Sequence, residues 1–124
     1  MIIVQGNYIL ATNAPTYTET RIYADLLTEG HLSSQIIEEI KKYDWNTDIA
    51  IAIAKCESGL NPKAFNPETS SKLKGITTYS SYGIFQLNRP YDERLYDYKY
   101  NISLAYELYQ RRSWQPWTCW KHIY

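Results

Sequence analysis

The stretch Asn46-Thr-Asp-Ile-Ala-Ile-Ala-Ile-Ala-Lys-Cys-Glu57-Ser-Gly59 decides the fold. Asn46 is a helix cap, Asp48 puts an anion in the first turn where the dipole favours one, and Gly59 followed by Pro62 ends the run. Between them Ile49 to Ala54 are apolar on every face. A helix apolar all round is buried, so this one is expected to pass through the middle of the molecule. Glu57 is out of keeping with it. The carboxyl stands at the helix's negative end beside a buried segment, and both the dipole and desolvation disfavour its ionised form. A carboxyl held protonated near neutral pH is a general acid. An exposed terminal-turn glutamate is the plainer alternative.

Upstream, Ile22, Tyr23, Leu26 and Leu27 recur at helical spacing and Gly30 is placed to stop that helix. Ser33 or Ser34 caps a second helix with the stripe Ile36, Ile37, Ile40 and Tyr43, and Glu38 and Lys42 pair across its solvent face. Residues 1–18 read as an extended N-terminal segment. Downstream, Asn61 to Ser81 is a loop of Ser, Thr, Asn and Pro, and a loop of that length is functional or hides short structure. Tyr82 to Asn88 is a short mixed segment. Asn101 caps a last helix with Ile102, Leu104, Ala105, Leu108 and Tyr109 facing inward, and the chain closes on Trp114, Trp117 and Trp120. The expected fold is mostly α, with the long loop or a minor β region beside the helices.

The 124 residues suffice for one domain, and 44% hydrophobic with 21% charged side chains is ordinary globular usage. Thirteen Lys and Arg balance thirteen Asp and Glu, which excludes a general nucleic-acid binder. The balance is uneven: residues 61–124 hold nine basic against five acidic side chains, which suits an anionic polymer. No apolar run approaches the roughly twenty residues of a membrane span. The start at Met1 lacks the basic region of a signal peptide, so a removed leader or another export route is expected. Thirteen tyrosines and four tryptophans against two phenylalanines suit either a wet, ring-lined groove or an aromatic-rich core. Cys56 and Cys119 lie 63 positions apart without a metal-ligand pattern, so no metal or other cofactor is expected. Two buried thiols and a loop-closing disulfide both fit that spacing.

From Ile51 to Asn66 and from Ser81 to Asn88 the chain resembles the lysozyme-like superfamily, and within it the soluble lytic transglycosylase catalytic domain, related to goose-type lysozymes. Glu57-Ser58 is similar to that family's catalytic Glu-Ser pair, and Gly83-Ile84-Phe85-Gln86 to its Gly-x-x-Gln motif lining the sugar cleft. Tyr100-Asn101-Ile102 resembles the later Asn-Ile segment opening a helix beneath the site. The resemblance implies an α+β lysozyme-like domain over 19–124 with a glycan cleft. Glu57 is then the acid, and Ser58, Tyr82, Gly83, Phe85, Gln86, Asn88, Asn101 and Trp114 face substrate. Trp114 and Trp117 have a second reading as core plugs. The implied partner is the glycan strand of peptidoglycan, met by a monomer outside the cytoplasm, in the envelope or secreted. In the lysozyme-like arrangement a C-terminal tail packed on the central helix brings Cys56 and Cys119 together.

Two departures stand out. The family's Ala-Tyr-Asn motif has no counterpart, the nearest string being Leu104-Ala105-Tyr106-Glu107, and the 61–81 loop is longer than the minimal version. Animal-type lysozymes carry Asp directly before the Tyr-Gly of the matching strand, where this chain has Ser81. Glycosidases normally use two carboxyls, and Glu68, Asp92, Glu93 and Asp97 all sit in polar stretches. With one acid, Glu57 protonates the glycosidic oxygen and then accepts the proton of the sugar's own C6 hydroxyl as it attacks C1, giving a 1,6-anhydro end. The alternatives are a hydrolytic muramidase and a non-catalytic glycan- or partner-binding module.

Overall fold

The computed structural model describes residues 30–67 and 79–123. The N-terminal segment, the helix expected at 20–29, the 18/19 domain boundary and Glu68 lie outside the described residues. Contacts divide the chain at Leu32/Ser33, and the account below concerns the compact unit Ser33–Tyr124.

Residues 30–40 are helical (α1). Gly30 is therefore not a stop, and Ser33 and Ser34 lie inside a helix already under way rather than capping one. Ile36 and Ile40 are its fully buried side chains. The surface pairs run at i,i+3, Lys41 to Glu38 at 3.3 Å and Lys42 to Glu39 at 2.9 Å, instead of joining Glu38 to Lys42.

Helix α2, Thr47–Ser58, has the caps the sequence reading expects, but it is buried on one face and not all round. Asn46 accepts a hydrogen bond from the Ile49 amide, and Gly59 closes the helix in the left-handed conformation at φ 65°. Ala50, Ile53 and Ala54 are fully buried, while Ile49, Ile51 and Ala52 are half-buried.

The segment expected as one loop contains two strands. β1 (Phe65–Pro67), β2 (Tyr79–Tyr82) and β3 (Leu87–Pro90) form an antiparallel sheet in that order. Phe65 pairs with Tyr82, and Ser81 with both Asn66 and Asn88. The mixed segment 82–88 is thus a hairpin with its turn at 83–86. A 3-10 turn, Glu93–Tyr96, leads into α3, Tyr98–Arg112. The cap of α3 is Asp97, whose carboxylate accepts from the Lys99 and Tyr100 amides. Asn101 lies one turn inside the helix and is 0% exposed, so it caps nothing. A second 3-10 helix, Thr118–His122, packs on α2.

Three of the four tryptophans are core. Trp45, Phe85, Trp114 and Trp117 are buried, with ring centroids 5.5 Å (Trp45–Phe85), 5.6 Å (Trp45–Trp114) and 5.7 Å (Phe85–Trp117) apart. The Tyr109 ring packs tilted against Trp114, with centroids 4.3 Å apart. Burying an indole of roughly 200 Å² at about 25 cal/mol per Å² contributes on the order of 5 kcal/mol, against roughly 1 kcal/mol for a hydrogen bond. Packing therefore decides where these rings sit, and their N–H groups are then satisfied. Trp45 Nε1 donates to the Ile40 carbonyl and Trp117 Nε1 to the Phe85 carbonyl, both at 2.9 Å.

Candidate active site

Glu57 occupies the last turn of α2 and is half-buried. Burial pushes its carboxyl above the ordinary glutamate value, and a hydrogen bond from the Cys119 amide to Oε2 opposes the rise. That bond is long at 3.4 Å, so desolvation prevails. The amide is held there by covalent chemistry. Cys56 and Cys119 form a disulfide with Cα atoms 6.1 Å apart, inside the usual bridging range. The bridge fixes the C-terminal 3-10 helix against the end of α2, with its partner cysteine directly before Glu57.

The second segment of the site is the turn between β2 and β3. Ser58 Oγ donates to the Ile84 carbonyl at 2.8 Å, tying the end of α2 to this turn. Gly83 holds φ 76° and has no room for a side chain, since a Cβ would meet the Asn101 amide and the Leu95 carbonyl oxygen. Gln86 holds φ 48°, a left-handed conformation costing a non-glycine residue roughly 1–2 kcal/mol. Its side chain offsets that cost. Nε2 donates to the Gly83 and Ala64 carbonyls at 3.1 and 3.3 Å, and Oε1 accepts from Asn66 Nδ2 at 2.7 Å.

Beneath the turn, Asn101 is the hub. Its Nδ2 donates to the Tyr82 and Leu95 carbonyls, each at 3.0 Å, and its Oδ1 accepts from the Phe85 amide at 2.9 Å. With the side chain buried and its bonds made, Asn101 presents no surface to a sugar. The same holds for the Phe85 ring at 0% exposure, and Tyr82 and Trp114 are buried at 4% and 6%. Among the expected substrate contacts, Asn88 is exposed and Gln86 half-buried. Asn88 makes one 3.4 Å bond to Ser81 across the hairpin. The structure thus gathers Glu57, Ser58, Gly83, Gln86 and Asn101 into one frame, and assigns most of the motif to holding that frame.

The other candidate carboxyls among the described residues, Asp92, Glu93 and Asp97, stand on the 3-10 turn and at the start of α3. Asp92 caps the 3-10 turn and pairs with Arg94 at 2.7 Å, which holds its carboxyl below the usual aspartate value. Asp97 caps α3, and Glu93 is exposed in the 3-10 turn.

Beside this frame, between β3 and the C-terminal turn of α3, lies a cleft of about 570 Å³. Gln86, Asn88 and Trp117 line it together with Arg89, Leu108, Arg112 and Gln115; Glu57 does not. The sequence reading overlooked Asn66, the Cys119 amide and the two cleft arginines. A backbone amide leaves no sequence signal, and Asn66 lies twenty positions from Gln86. The arginines had one signal, the basic excess of residues 61–124, but nothing in it says which cations share a cavity.

A helix of apolar residues ending in a half-buried glutamate, tied to a small antiparallel hairpin and backed by a second helix, defines a lysozyme-like domain. Residues 34–112, more than half of the chain, match the transglycosylase SLT domain family, and the chain belongs to it. At the family level this carries lytic transglycosylase-type activity on peptidoglycan. No curated protein matched the chain. A disulfide fits an oxidising compartment outside the cytoplasm, and among the described residues no helix is long and apolar enough to cross a membrane.

Proposed function

We propose that the protein cleaves the glycan strand of peptidoglycan without consuming water, with Glu57 as its only acid and base. The observation that carries this reading is the half-buried carboxyl of Glu57, raised in pKa by desolvation, at the junction of α2, the hairpin turn and the bridged tail. As the acid, Glu57 gives its proton to the glycosidic oxygen. As the resulting carboxylate it takes the proton of the C6 hydroxyl while that oxygen closes on C1. Among the described residues, Asp92 and Asp97 are spent on caps and on Arg94, which supports a mechanism without either as a second carboxyl. Ser81, on β2 between Asn66 and Asn88, has no charge to offer at the strand position where animal-type lysozymes carry theirs.

Mass analysis of muropeptides released from purified cell walls tests the proposal. The expected product carries 1,6-anhydro ends, one water lighter than reducing ends. Reducing ends would identify a hydrolytic muramidase. Walls left intact by protein that binds them would identify a glycan-binding module.

A further inference from the structure

The cleft between β3 and the end of α3 is lined by two arginines, Arg89 and Arg112, and by no Asp or Glu. Nearby Arg94 shows what an occupied arginine looks like here. It makes two-pronged contact with Asp92 through Nε and Nη2 and lies over the Tyr100 ring at 4.7 Å. Among the described residues neither Arg89 nor Arg112 has an ion-pair partner or a side-chain hydrogen bond. Arg112 has a plainer duty, since it stands with Arg111 in the last turn of α3, where the dipole favours a cation. Arg89 has no such duty. It is half-buried on the strand β3, between the exposed Asn88 and Pro90, and serves no helix end.

A half-buried arginine on a strand, lining one cavity with a second arginine and no acid, suits a planar anion, which guanidinium groups bind with two-pronged geometry. The cleft reaches the candidate site through Gln86, which lines it and also clamps the turn that Ser58 ties to α2. Of the two sugars of peptidoglycan only the muramic one bears an acid. Its lactyl ether ends in a carboxylate, or is extended by a stem peptide that carries carboxylates of its own.

We propose that Arg89 and Arg112 form a carboxylate subsite reading the acidic substituent of the muramic sugar, and so set the register in which the strand reaches Glu57. The inference rests on the function proposed above. It makes the protein selective for muramic strands over uncharged chitin-type strands of the same length.

Binding is measured on Glu57→Gln protein, so that the glycan survives, with three tetrasaccharide probes. These are chitotetraose, a peptide-free GlcNAc-MurNAc tetrasaccharide, and the same tetrasaccharide with its stem peptides. The expected result is binding of one or both acidic probes about tenfold or more tighter than chitotetraose, a preference weakening as salt is raised. Adding Arg89→Gln and Arg112→Gln should abolish the preference and leave the chitotetraose affinity unchanged, while Lys at both positions should restore it in part. Tight binding of the peptide-free probe assigns the lactyl carboxylate; tight binding of the stem-bearing probe alone assigns the peptide. Equal affinity for all three probes in the parent overturns the subsite, as does an equal loss on all three in the Gln variant. Digestion of walls by protein with Glu57 intact separates this from the underlying reading. Anhydro products without any carboxylate preference remove the subsite alone. A carboxylate preference without cleavage keeps the subsite and removes the catalytic proposal.

Discussion

The frame around Glu57 and the cleft along β3 sit side by side and are built on opposite rules. In the frame nearly every polar atom has a protein partner: Asn101 makes three bonds, Gln86 makes three, and Ser58 and the Cys119 amide complete the set. In the cleft the Asn88 side chain makes one long bond, and the Arg89 and Arg112 side chains make none among the described residues. Satisfied groups hold a geometry, whereas unsatisfied exposed groups are available to a ligand. The carboxyl of Glu57 is intermediate, half out of water and held by one weak bond, which suits the acid and base role proposed for it.

Removing the proposed proton donor breaks the comparison most severely. Glu57→Gln keeps shape and partners but cannot supply a proton, so cleavage should fall on the order of a hundredfold or more. Turbidity clearance of purified walls measures it, and undiminished clearance would remove Glu57 from the chemistry.

Next in size is the bridge that holds the tail on the frame. Its two cysteines are 63 positions apart, and in the chain-entropy model a loop of that length contributes about 4 kcal/mol. Domains of this kind have only about 5–15 kcal/mol in total. The Cys56→Ala/Cys119→Ala protein should therefore unfold at markedly lower denaturant, with clearance also reduced because the Cys119 amide is no longer fixed on Glu57. An unchanged midpoint would mean that packing of Trp114 and Trp117 alone retains the tail.

The third test sets one asparagine of each region against the other. Asn101→Ala orphans the buried Phe85 amide and the Tyr82 and Leu95 carbonyls, for a loss of roughly 3 kcal/mol. Asn88→Ala removes one long bond at an exposed position and should change stability by less than about 0.5 kcal/mol. Equal effects in denaturant titrations would erase the distinction between frame and cleft.

That distinction is what the sequence hid. Helix α2 was legible down to its caps, because Asn46, the run Ile49–Ala54 and Gly59 act locally and agree with one another. The Glu57 reading followed from the same local facts. The SLT-like motif was legible as text, but a motif records that residues recur together and not which atoms they touch. Asn101 reads as a helix cap, yet Asp97, four positions earlier, is an equally good cap residue and leaves Asn101 to turn inward. The strands in the 61–81 region carry no alternation of apolar and polar residues: Tyr79-Ser-Ser-Tyr82 takes its order from pairing with β1 and β3. Trp114 and Trp117 fit a core and a sugar platform equally well until their neighbours are known.

The smallest expected effect is on stability and carries its own sign. Burial raises the Glu57 carboxyl above its unfolded value, with the Cys119 amide limiting the rise. The folded protein therefore holds this proton to higher pH than the unfolded chain does. Between the ordinary glutamate value, about 4.3, and the raised folded value, the native state binds the extra proton, so stability declines as pH rises. Below that window the contribution is fully present, and above the folded value it is lost. A glutamine has no proton to lose. Wild type should thus lose stability relative to Glu57→Gln as pH rises through the window, and the two should run parallel on either side. Activity should fall over the same range, since the protonated form is the one that donates. Denaturant midpoints of both proteins at a series of pH values read the difference directly. Curves that stay parallel throughout would place Glu57 in water in the folded protein, on the cleft's side of the comparison rather than the frame's.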